Sequence, residues 1–206
     1  IIRPDVGVIT NISYAHIKNF KNLKQIALAK SEIINNIVRG GSIVLNADDK
    51  FYKFHHKMAL RKKLKVYSFS INKKNATVRL NSIKKEKTKF KATININNQK
   101  KHFFISSNFE SNLKNLLAAI TVISIFKDIK TLNKNIFYNY QIPYGRGDFS
   151  KIKINRKNIL LIDESYNSNP LSLKSSINNF DLIDSKGNKK HLVLGDMLEL
   201  GDHSKK

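Results

Sequence analysis

Short apolar runs alternate with amphipathic segments in the first half of the chain. Residues 6–10 and 42–45 are continuous apolar stretches, which predicts strands buried on both faces. Residues 22–38 repeat apolar side chains at helical spacing, which predicts one helix that ends at a glycine pair, residues 40–41. This strand–helix–strand order predicts a parallel sheet with right-handed crossovers.

The pattern changes after a further predicted helix, residues 51–63, and a predicted strand, residues 65–69. From residue 76 to residue 106 the runs are short, and one of them alternates polar and apolar positions. Such alternation is typical of antiparallel strands with one solvated face. The expected strands are residues 77–80, 89–94 and 102–105, with a hairpin turn at Asn97-Asn98 and a helix from residue 111 to about 126.

A second apolar run, residues 159–162, ends abruptly in Asp163 and Glu164. It predicts another buried strand, and Asn169 and Pro170 are suited to cap and begin the helix that follows. We expect this helix to reach about residue 183, with Leu171, Ile177 and Phe180 on its buried side. Residues 191–194 predict one more buried strand. Proline and two glycines make residues 142–147 the best domain boundary.

Length and composition limit the classes of protein to which this chain could belong. The chain has 206 residues, 41% of them hydrophobic, which is enough for a folded core in one or two domains. No apolar run is long enough to span a membrane. The absence of cysteine excludes disulfides, thiolate metal sites and a cysteine nucleophile, and it suits a cytoplasmic protein. The chain lacks an initiating methionine, and we expect it to be an internal piece of a longer protein.

The formal net charge of +23 suits an anionic partner. Lysine is scattered along the whole chain, and asparagine and isoleucine are also frequent. Two interpretations remain open: a compositional drift that affects the whole protein, which we favour, and a dedicated basic face for nucleic acid.

Several polar residues lie where ligands are bound in open α/β sheets, beyond the carboxyl ends of strands. His16 follows the first strand and is either a loop residue or a metal or phosphate contact. Lys30 falls inside an apolar stripe, so it either extends to the edge or has a chemical function as a neutral amine. Asn112 and Asn115 share one face of a helix near its N-terminus, and Arg146 is either a solvated linker residue or a phosphate ligand.

The sequence contains no motif for a serine nucleophile, a zinc site or a phosphate-binding loop. Ser165 has no histidine partner nearby in sequence, zinc-ligand spacing is absent, and the eight glycines form no phosphate-binding loop. From these residues alone the chain predicts two α/β domains that bind a ligand, in particular a phosphorylated one.

Two late motifs, residues 163–170 (Asp-Glu-Ser-Tyr-Asn-Ser-Asn-Pro) and 194–201 (Leu-Gly-Asp-Met-Leu-Glu-Leu-Gly), closely resemble the Mur ligase family. Segments with the same order of residues precede them, at residues 9–16, 29–32, 45–49, 112–119 and 145–146. Within the family, the late motifs are most similar to members that join D-alanyl-D-alanine to a UDP-N-acetylmuramoyl-tripeptide. Folylpolyglutamate synthases (FPGS) are similar in order but differ at these two motifs.

The resemblance implies an ATP- and Mg²⁺-dependent amide ligase of peptidoglycan precursor synthesis in the bacterial cytoplasm. It implies that residues 1–143 are the C-terminal part of a central ATP-binding domain, with a mostly parallel sheet and an antiparallel extension. A linker at residues 144–147 and the start of a Rossmann-like ligase domain over residues 148–206 would follow. We expect a monomer without nucleic acid as a partner, and a chain that is inactive alone because the family's phosphate loop has no counterpart in it.

The resemblance also implies roles for individual residues. His16 would bind Mg²⁺, and Lys30 would be the lysine that is carbamylated in related ligases, giving an anion suited to magnesium. Residues implied to hold ATP are Asn112 and Asn115 at adenine, and Arg146, Glu164, Tyr166 and Asn169 at ribose and phosphates. Asp196 and Glu199 would help to place the incoming dipeptide. Two competing functions are an FPGS-like ligase and a basic nucleic-acid-binding module.

Overall fold

The computed structural model describes residues 2–13, 20–87, 89–140 and 142–197. It divides into two compact units. Unit 1 comprises Ile1–Ile12 and Lys24–Tyr140, and unit 2 comprises Ser13–Leu23 and Gln141–Lys206. Within the described residues, each unit has its own sheet, of six strands in unit 1 and of two strands in unit 2.

The first three strands of unit 1 form a parallel sheet. These are β1 (Val6–Ile9), β2 (Ser42–Asn46) and β3 (Lys65–Ser70), with β2 in the middle. Every residue of β2 is buried, as a central parallel strand with covered faces requires. The prediction of parallel strands from short apolar runs is therefore confirmed.

The connections between these strands are helical, but the first one differs from the prediction. Residues 22–38 form two helices, α1 (Leu23–Lys30) and α2 (Glu32–Asn36), where the spacing predicted one. The interruption is at Ser31, whose hydroxyl donates to the Leu28 carbonyl at 2.6 Å, a local bond that competes with the helical ladder. The predicted helix between β2 and β3 is confirmed as α3 (Tyr52–Arg61).

The sheet continues with an antiparallel extension, as predicted. Strand β4 (Val78–Glu86) pairs parallel with β3, and β5 (Lys89–Ile96) and β6 (Gln99–Ile105) then pair antiparallel. Asn97 and Asn98 both have positive φ, at 48° and 67°, and they form the two-residue turn that a tight hairpin needs. The mixed α/β class is thus confirmed.

The core of unit 1 forms where helix α4 (Glu110–Phe126) packs against this sheet. Leu113, Leu117 and Ile120 form its buried stripe. Phe69 and Phe103 are among the largest fully buried side chains on the strands. A short 3₁₀ helix, Ile129–Thr131, follows, and Ile129 packs against the same cluster.

Unit 2 has a hairpin, β7 (Asp148–Ile154) with β8 (Lys157–Asp163), and the helix α5 (Pro170–Asp181). The prediction that residues 159–162 form a strand buried on both faces is wrong in its burial. The strand exists, but it pairs with β7 alone among the described strands, and Leu161 is 43% exposed. A two-stranded sheet has too few neighbours to cover a strand.

Two further expectations for unit 2 are wrong. Helix α5 ends at Asp181 and buries no residue: Leu171 and Ile177 are exposed, and Phe180 is half-buried. Residues 191–194 have no strand conformation and are exposed, because no ladder partner pairs with them in the described part of the chain. The Rossmann-like character of this region stays a prediction. Among the described residues, no helix combines the length and apolarity needed to cross a membrane.

Candidate functional site

The loop after β1 is hydrogen-bonded at three successive residues to helix α1 and to the end of β2. The Thr10 carbonyl accepts the Asn46 side-chain amide at 2.9 Å, and the Asn11 carbonyl accepts Lys30 Nζ at 3.2 Å. The Ile12 N–H donates to Asp49 Oδ2 at 2.7 Å. Because the bonds come from both α1 and the end of β2, the loop has a defined backbone path at the carboxyl edge of the parallel sheet.

Asp48 and Asp49, at the end of β2, are occupied by structural hydrogen bonds. Asp48 accepts the Ser70 hydroxyl at 2.6 Å and the Ile71 N–H at 2.7 Å. Asp49 accepts the Phe51 N–H as well as the Ile12 N–H, both at 2.7 Å. Each oxygen of both carboxylates therefore has a donor, so these residues position the edge of the sheet.

Lys30 lies outside the core, contrary to its predicted place in a buried stripe. The break at Ser31 makes it the last residue of α1, and its side chain is exposed. The buried face of this segment is formed instead by Ile26, Ala27 and Ile34. A long lysine stem allows the ammonium group to leave an apolar face, and here Nζ reaches the Asn11 carbonyl. Lys30 is thus placed at the carboxyl end of β1.

The two asparagines predicted near adenine lie in the first turns of α4. Asn112 donates its amide to the Ser107 hydroxyl at 3.0 Å, and Asn115 is exposed. Glu110 and Lys114 form an ion pair at 2.6 Å on the same turns. The N-cap residue, Phe109, makes no side-chain cap hydrogen bond to the helix.

In unit 2, two segments hold each other by reciprocal backbone bonds, and we call them the clasp: Gly145–Asp148 and Asp163–Tyr166. The Tyr166 N–H donates to the Gly145 carbonyl at 3.0 Å, and the Gly147 N–H donates to the Asp163 carbonyl at 2.7 Å. The guanidinium carbon of Arg146 lies 4.0 Å from the centre of the Tyr166 ring. Such stacking orients a guanidinium while leaving N–H donors on its edge for an anion.

The carboxylates of the clasp differ in their pKa values. Partial desolvation of the Glu164 carboxyl raises its pKa, the Ser176 hydroxyl opposes this, and the charges of Asp148 and Asp163 raise it further. The pKa of Asp163 is lowered because the Ser165 hydroxyl and N–H stabilise its ionised form. The clasp therefore favours the ionised form of Asp163 and disfavours that of Glu164.

Asn169 is engaged as a helix cap. Its side-chain oxygen accepts from the Leu171 and Ser172 N–H groups, and the Ser172 hydroxyl accepts from the Asn169 N–H, which completes a capping box. This confirms the predicted cap and the predicted Pro170 start. The bonds leave the Asn169 amide nitrogen for another partner.

The remaining predicted residues are placed as follows. Asp196 is exposed, next to Met197, which lines a shallow groove of about 300 Å³ with Leu173 and Ile177 of α5. His16 and Glu199 lie outside the described residues. Within the described ranges, no three His, Asp or Glu side chains are grouped as metal ligands.

The structure brings together only some of the predicted residues. Arg146, Glu164 and Tyr166 meet in the clasp, and Asn169 begins the helix that follows. Sequence reasoning did not single out Asp148, whose Oδ1 accepts the Gly145 N–H at 2.7 Å. The two glycines at residues 145 and 147 signal a turn, but the sequence does not show which N–H group the Asp148 side chain accepts.

Comparison with known proteins gives consistent results. Residues 1–123 match the family described as Mur ligase middle domain. A UDP-N-acetylmuramoyl-tripeptide–D-alanyl-D-alanine ligase of Rickettsia prowazekii is 29% identical over 212 residues, covering 100% of this chain and 44% of the relative. The chain thus spans less than half the length of this curated relative.

Two solved structures bear on the alternatives considered from the sequence. MurF from Acinetobacter baumannii is 26% identical, with a TM-score of 0.82, over 98% of this chain and 42% of that one. A mutant of L. casei FPGS has a TM-score of 0.67 over 90% of this chain and 44% of that one, at 16% identity. The second likeness extends to the fold alone.

Proposed function

The chain belongs to the Mur ligase family, and on that premise we propose that its protein adds D-alanyl-D-alanine to a UDP-N-acetylmuramoyl-tripeptide in an ATP-dependent reaction. One observation carries the proposal. The family match covers residues 1–123, whereas the likeness to a ligase of that specificity extends over the whole chain, including the clasp and α5. In this proposal the reaction belongs to peptidoglycan precursor synthesis in the bacterial cytoplasm.

The proposed reaction forms an amide through an acyl phosphate. The terminal carboxylate of the tripeptide attacks the γ-phosphate of ATP, and ADP leaves. The amine of D-alanyl-D-alanine then attacks the acyl carbon, and phosphate leaves as the amide forms. Chemistry of this kind depends on alignment of the reacting groups and on neutralising the charge of the phosphates.

Arg146 is the residue of unit 2 best suited to phosphate. Its guanidinium is oriented by the Tyr166 ring, and a planar fork of N–H donors matches phosphate oxygens. We assign Glu164, Tyr166 and Asn169 to the ribose and phosphates beside it. Asn112 and Asn115, at the start of α4, are assigned to adenine, and Asp196 and Glu199 to the incoming dipeptide.

The side chains at the carboxyl edge of the sheet decide which residues could bind Mg²⁺. Asp48 and Asp49 already accept one hydrogen bond on each oxygen, and these bonds hold the edge of the sheet in place. Lys30 is suited, because Nζ is exposed at the end of β1 and a carbamate formed there would present oxygen ligands, which Mg²⁺ prefers. We propose carbamylated Lys30 and His16 as the residues that hold the ion, which would neutralise phosphate charge when bound.

We also propose a domain organisation that follows the family: the C-terminal part of an ATP-binding domain over residues 1–143, a linker over 144–147 and the first part of a second ligase domain over 148–206. The division of the structure between Tyr140 and Gln141 supports it. We expect the protein to act as a monomer.

The decisive experiment measures phosphate release from ATP by the complete gene product. Release should require both UDP-N-acetylmuramoyl-tripeptide and D-alanyl-D-alanine, and Arg146→Ala should lower it at least tenfold, since loss of one charge-assisted contact costs about 1.5–3 kcal/mol. Arg156→Ala is the matched control, because it removes a guanidinium from the β7–β8 turn of the same unit. Release that needs a folate substrate instead, or no release with any acceptor, would contradict the proposal.

A further inference from the structure

We propose that Asp148 is a positioning residue for nucleotide binding: its carboxylate sets the turn from which Arg146 presents its guanidinium to phosphate. This inference rests on the proposed function, in which Arg146 contacts the phosphates of ATP. It adds a residue that contacts no substrate itself and acts through its neighbour.

The Asp148 side chain forms a hydrogen bond across the turn at residues 145–148. Asp148 Oδ1 accepts the Gly145 N–H at 2.7 Å, so the side chain closes a ring across residues 145–148. The two glycines of the turn have φ values of +70° and +88°, a region that other residues rarely adopt. A side-chain acceptor is a common way to stabilise such a backbone path.

The turn also lies close to the other segment of the clasp, Asp163–Tyr166. A Cβ at Gly145 would lie 2.9 Å from the Tyr166 nitrogen, and a Cβ at Gly147 would lie 2.9 Å from Glu164 Oε1. The turn is therefore in close contact with the second segment of the clasp, to which its two backbone bonds also tie it. Asp148 itself is paired with Asp163 in the first register position of the hairpin.

Arg146 is the residue between these two anchored glycines. With Gly145 and Gly147 both held, the direction of the Arg146 side chain is limited, and its guanidinium lies on the Tyr166 ring. Loss of the Asp148 acceptor would release the Gly145 N–H and let the turn sample other conformations. The affinity for a phosphate would then fall, because the guanidinium must be ordered at binding.

The test compares Asp148→Ala with Asp148→Asn in the complete protein, using calorimetric titration with ADP and, separately, with adenosine. Alanine removes the acceptor, and we expect ADP to bind about tenfold more weakly, the equivalent of one hydrogen bond. Adenosine has no phosphate, so its affinity should stay within about twofold by the same reasoning. Asparagine keeps an oxygen at the Oδ1 position and should restore ADP affinity to within about threefold of the wild type.

A double variant shows whether Asp148 acts through Arg146. If it does, Arg146→Ala/Asp148→Ala should bind ADP as Arg146→Ala does, since the two effects are not independent. Equal losses of ADP and adenosine affinity in Asp148→Ala, or additive losses in the double variant, would overturn the inference. If the alanine variant does not fold, the asparagine variant is measured alone. It should discriminate between ADP and adenosine as the wild type does, and a loss of ADP affinity beyond about threefold would overturn the inference.

The inference and the proposed function fail in different ways. Normal ADP binding by Arg146→Ala would remove the basis of the inference, while acceptor-dependent phosphate release would still support the ligase. A loss of ADP affinity in Arg146→Ala with none in Asp148→Ala would overturn the inference alone.

Discussion

Strands β2 and β8 have similar sequences and different environments. Each is a short apolar run that ends in a polar residue, yet β2 is buried throughout and β8 is largely exposed. Strand β2 lies between β1 and β3, with helices packed over the sheet, whereas β8 has β7 as its strand partner. An apolar run therefore predicts the strand, and the number of neighbours decides whether its side chains enter a core.

Helices α4 and α5 also differ in burial, and they differ in how their first turns are capped. Helix α4 has no side-chain cap but buries an apolar stripe against the sheet, and α5 has a complete capping box but buries no residue. Tertiary packing thus stabilises the first helix, and local hydrogen bonds stabilise the second. Unit 1 should depend on its core and unit 2 on its turns and caps.

The largest difference is expected between matched leucine variants. Leu45→Ala in β2 removes a side chain that is 1% exposed and should lower the free energy of unfolding by about 2–5 kcal/mol. Leu161→Ala in β8, at 43% exposure, should cost about 1 kcal/mol or less. Urea unfolding followed by circular dichroism measures both. Equal losses would mean that β8 is buried in solution and would end the comparison.

Asp48→Ala tests the polar edge of the sheet in unit 1. It leaves the fully buried Ser70 hydroxyl and the Ile71 N–H without their acceptor, which should cost about 1–3 kcal/mol. The same urea experiment applies, with the exposed Asp5→Ala as the control. A loss no larger than that of the control would show that water satisfies both donors.

Asn169→Ala tests whether unit 2 depends on local bonds. Removal of the cap should destabilise α5 by about 0.5–2 kcal/mol, because two N–H groups lose their acceptor. Amide hydrogen exchange within α5 should quicken, while exchange within α4 stays unchanged. Asn169→Asp keeps a capping oxygen and should retain protection, as should Asn167→Ala, which changes an exposed neighbour. Faster exchange in both helices would indicate that the two regions are not independent.

The smallest effect is expected from Glu164→Gln. The pKa of Glu164 is raised in the folded protein, so the folded state binds more protons than the unfolded state between the ordinary pKa and the raised one. The contribution of Glu164 to stability therefore falls as pH increases through that window. Glutamine should make the protein slightly more stable than the wild type at pH 7 and equally stable at pH 4, by less than about 1 kcal/mol because the group is exposed.

Urea unfolding at the two pH values measures this difference. Asp181→Asn, an exposed carboxylate at the end of α5, is the control for a general effect of charge in so basic a chain. A glutamine variant that is less stable than the wild type at pH 7 would contradict the sign.

Much of the fold could be predicted from local patterns. The Asn97-Asn98 turn, the Asn169 cap and the Pro170 start were all correct, because each depends on bonds within a few residues. The break at Ser31 was missed, since a serine in a helical pattern does not reveal whether its hydroxyl will donate to a backbone carbonyl of the preceding turn.

The sequence predicted which residues belong to the candidate site better than it predicted the contacts that those residues make. Arg146 and Tyr166 were both singled out, but their stacking follows from reciprocal bonds between segments about 20 positions apart in sequence. Asp148 was overlooked, because its role as an acceptor becomes evident only when the Gly145 N–H is seen to point at it.

The sequence by itself determined most of the helices and strands and most of the turns and caps, because these follow from side-chain period and nearby hydrogen-bond partners. It did not reveal strand β7, and it wrongly indicated a strand at residues 191–194. The tertiary structure decided burial and contact. It placed Lys30 in solvent rather than in the core, left β8 and α5 exposed, and stacked Arg146 on Tyr166. The physical reason is that burial depends on residues distant in sequence, and no pattern within one segment specifies them.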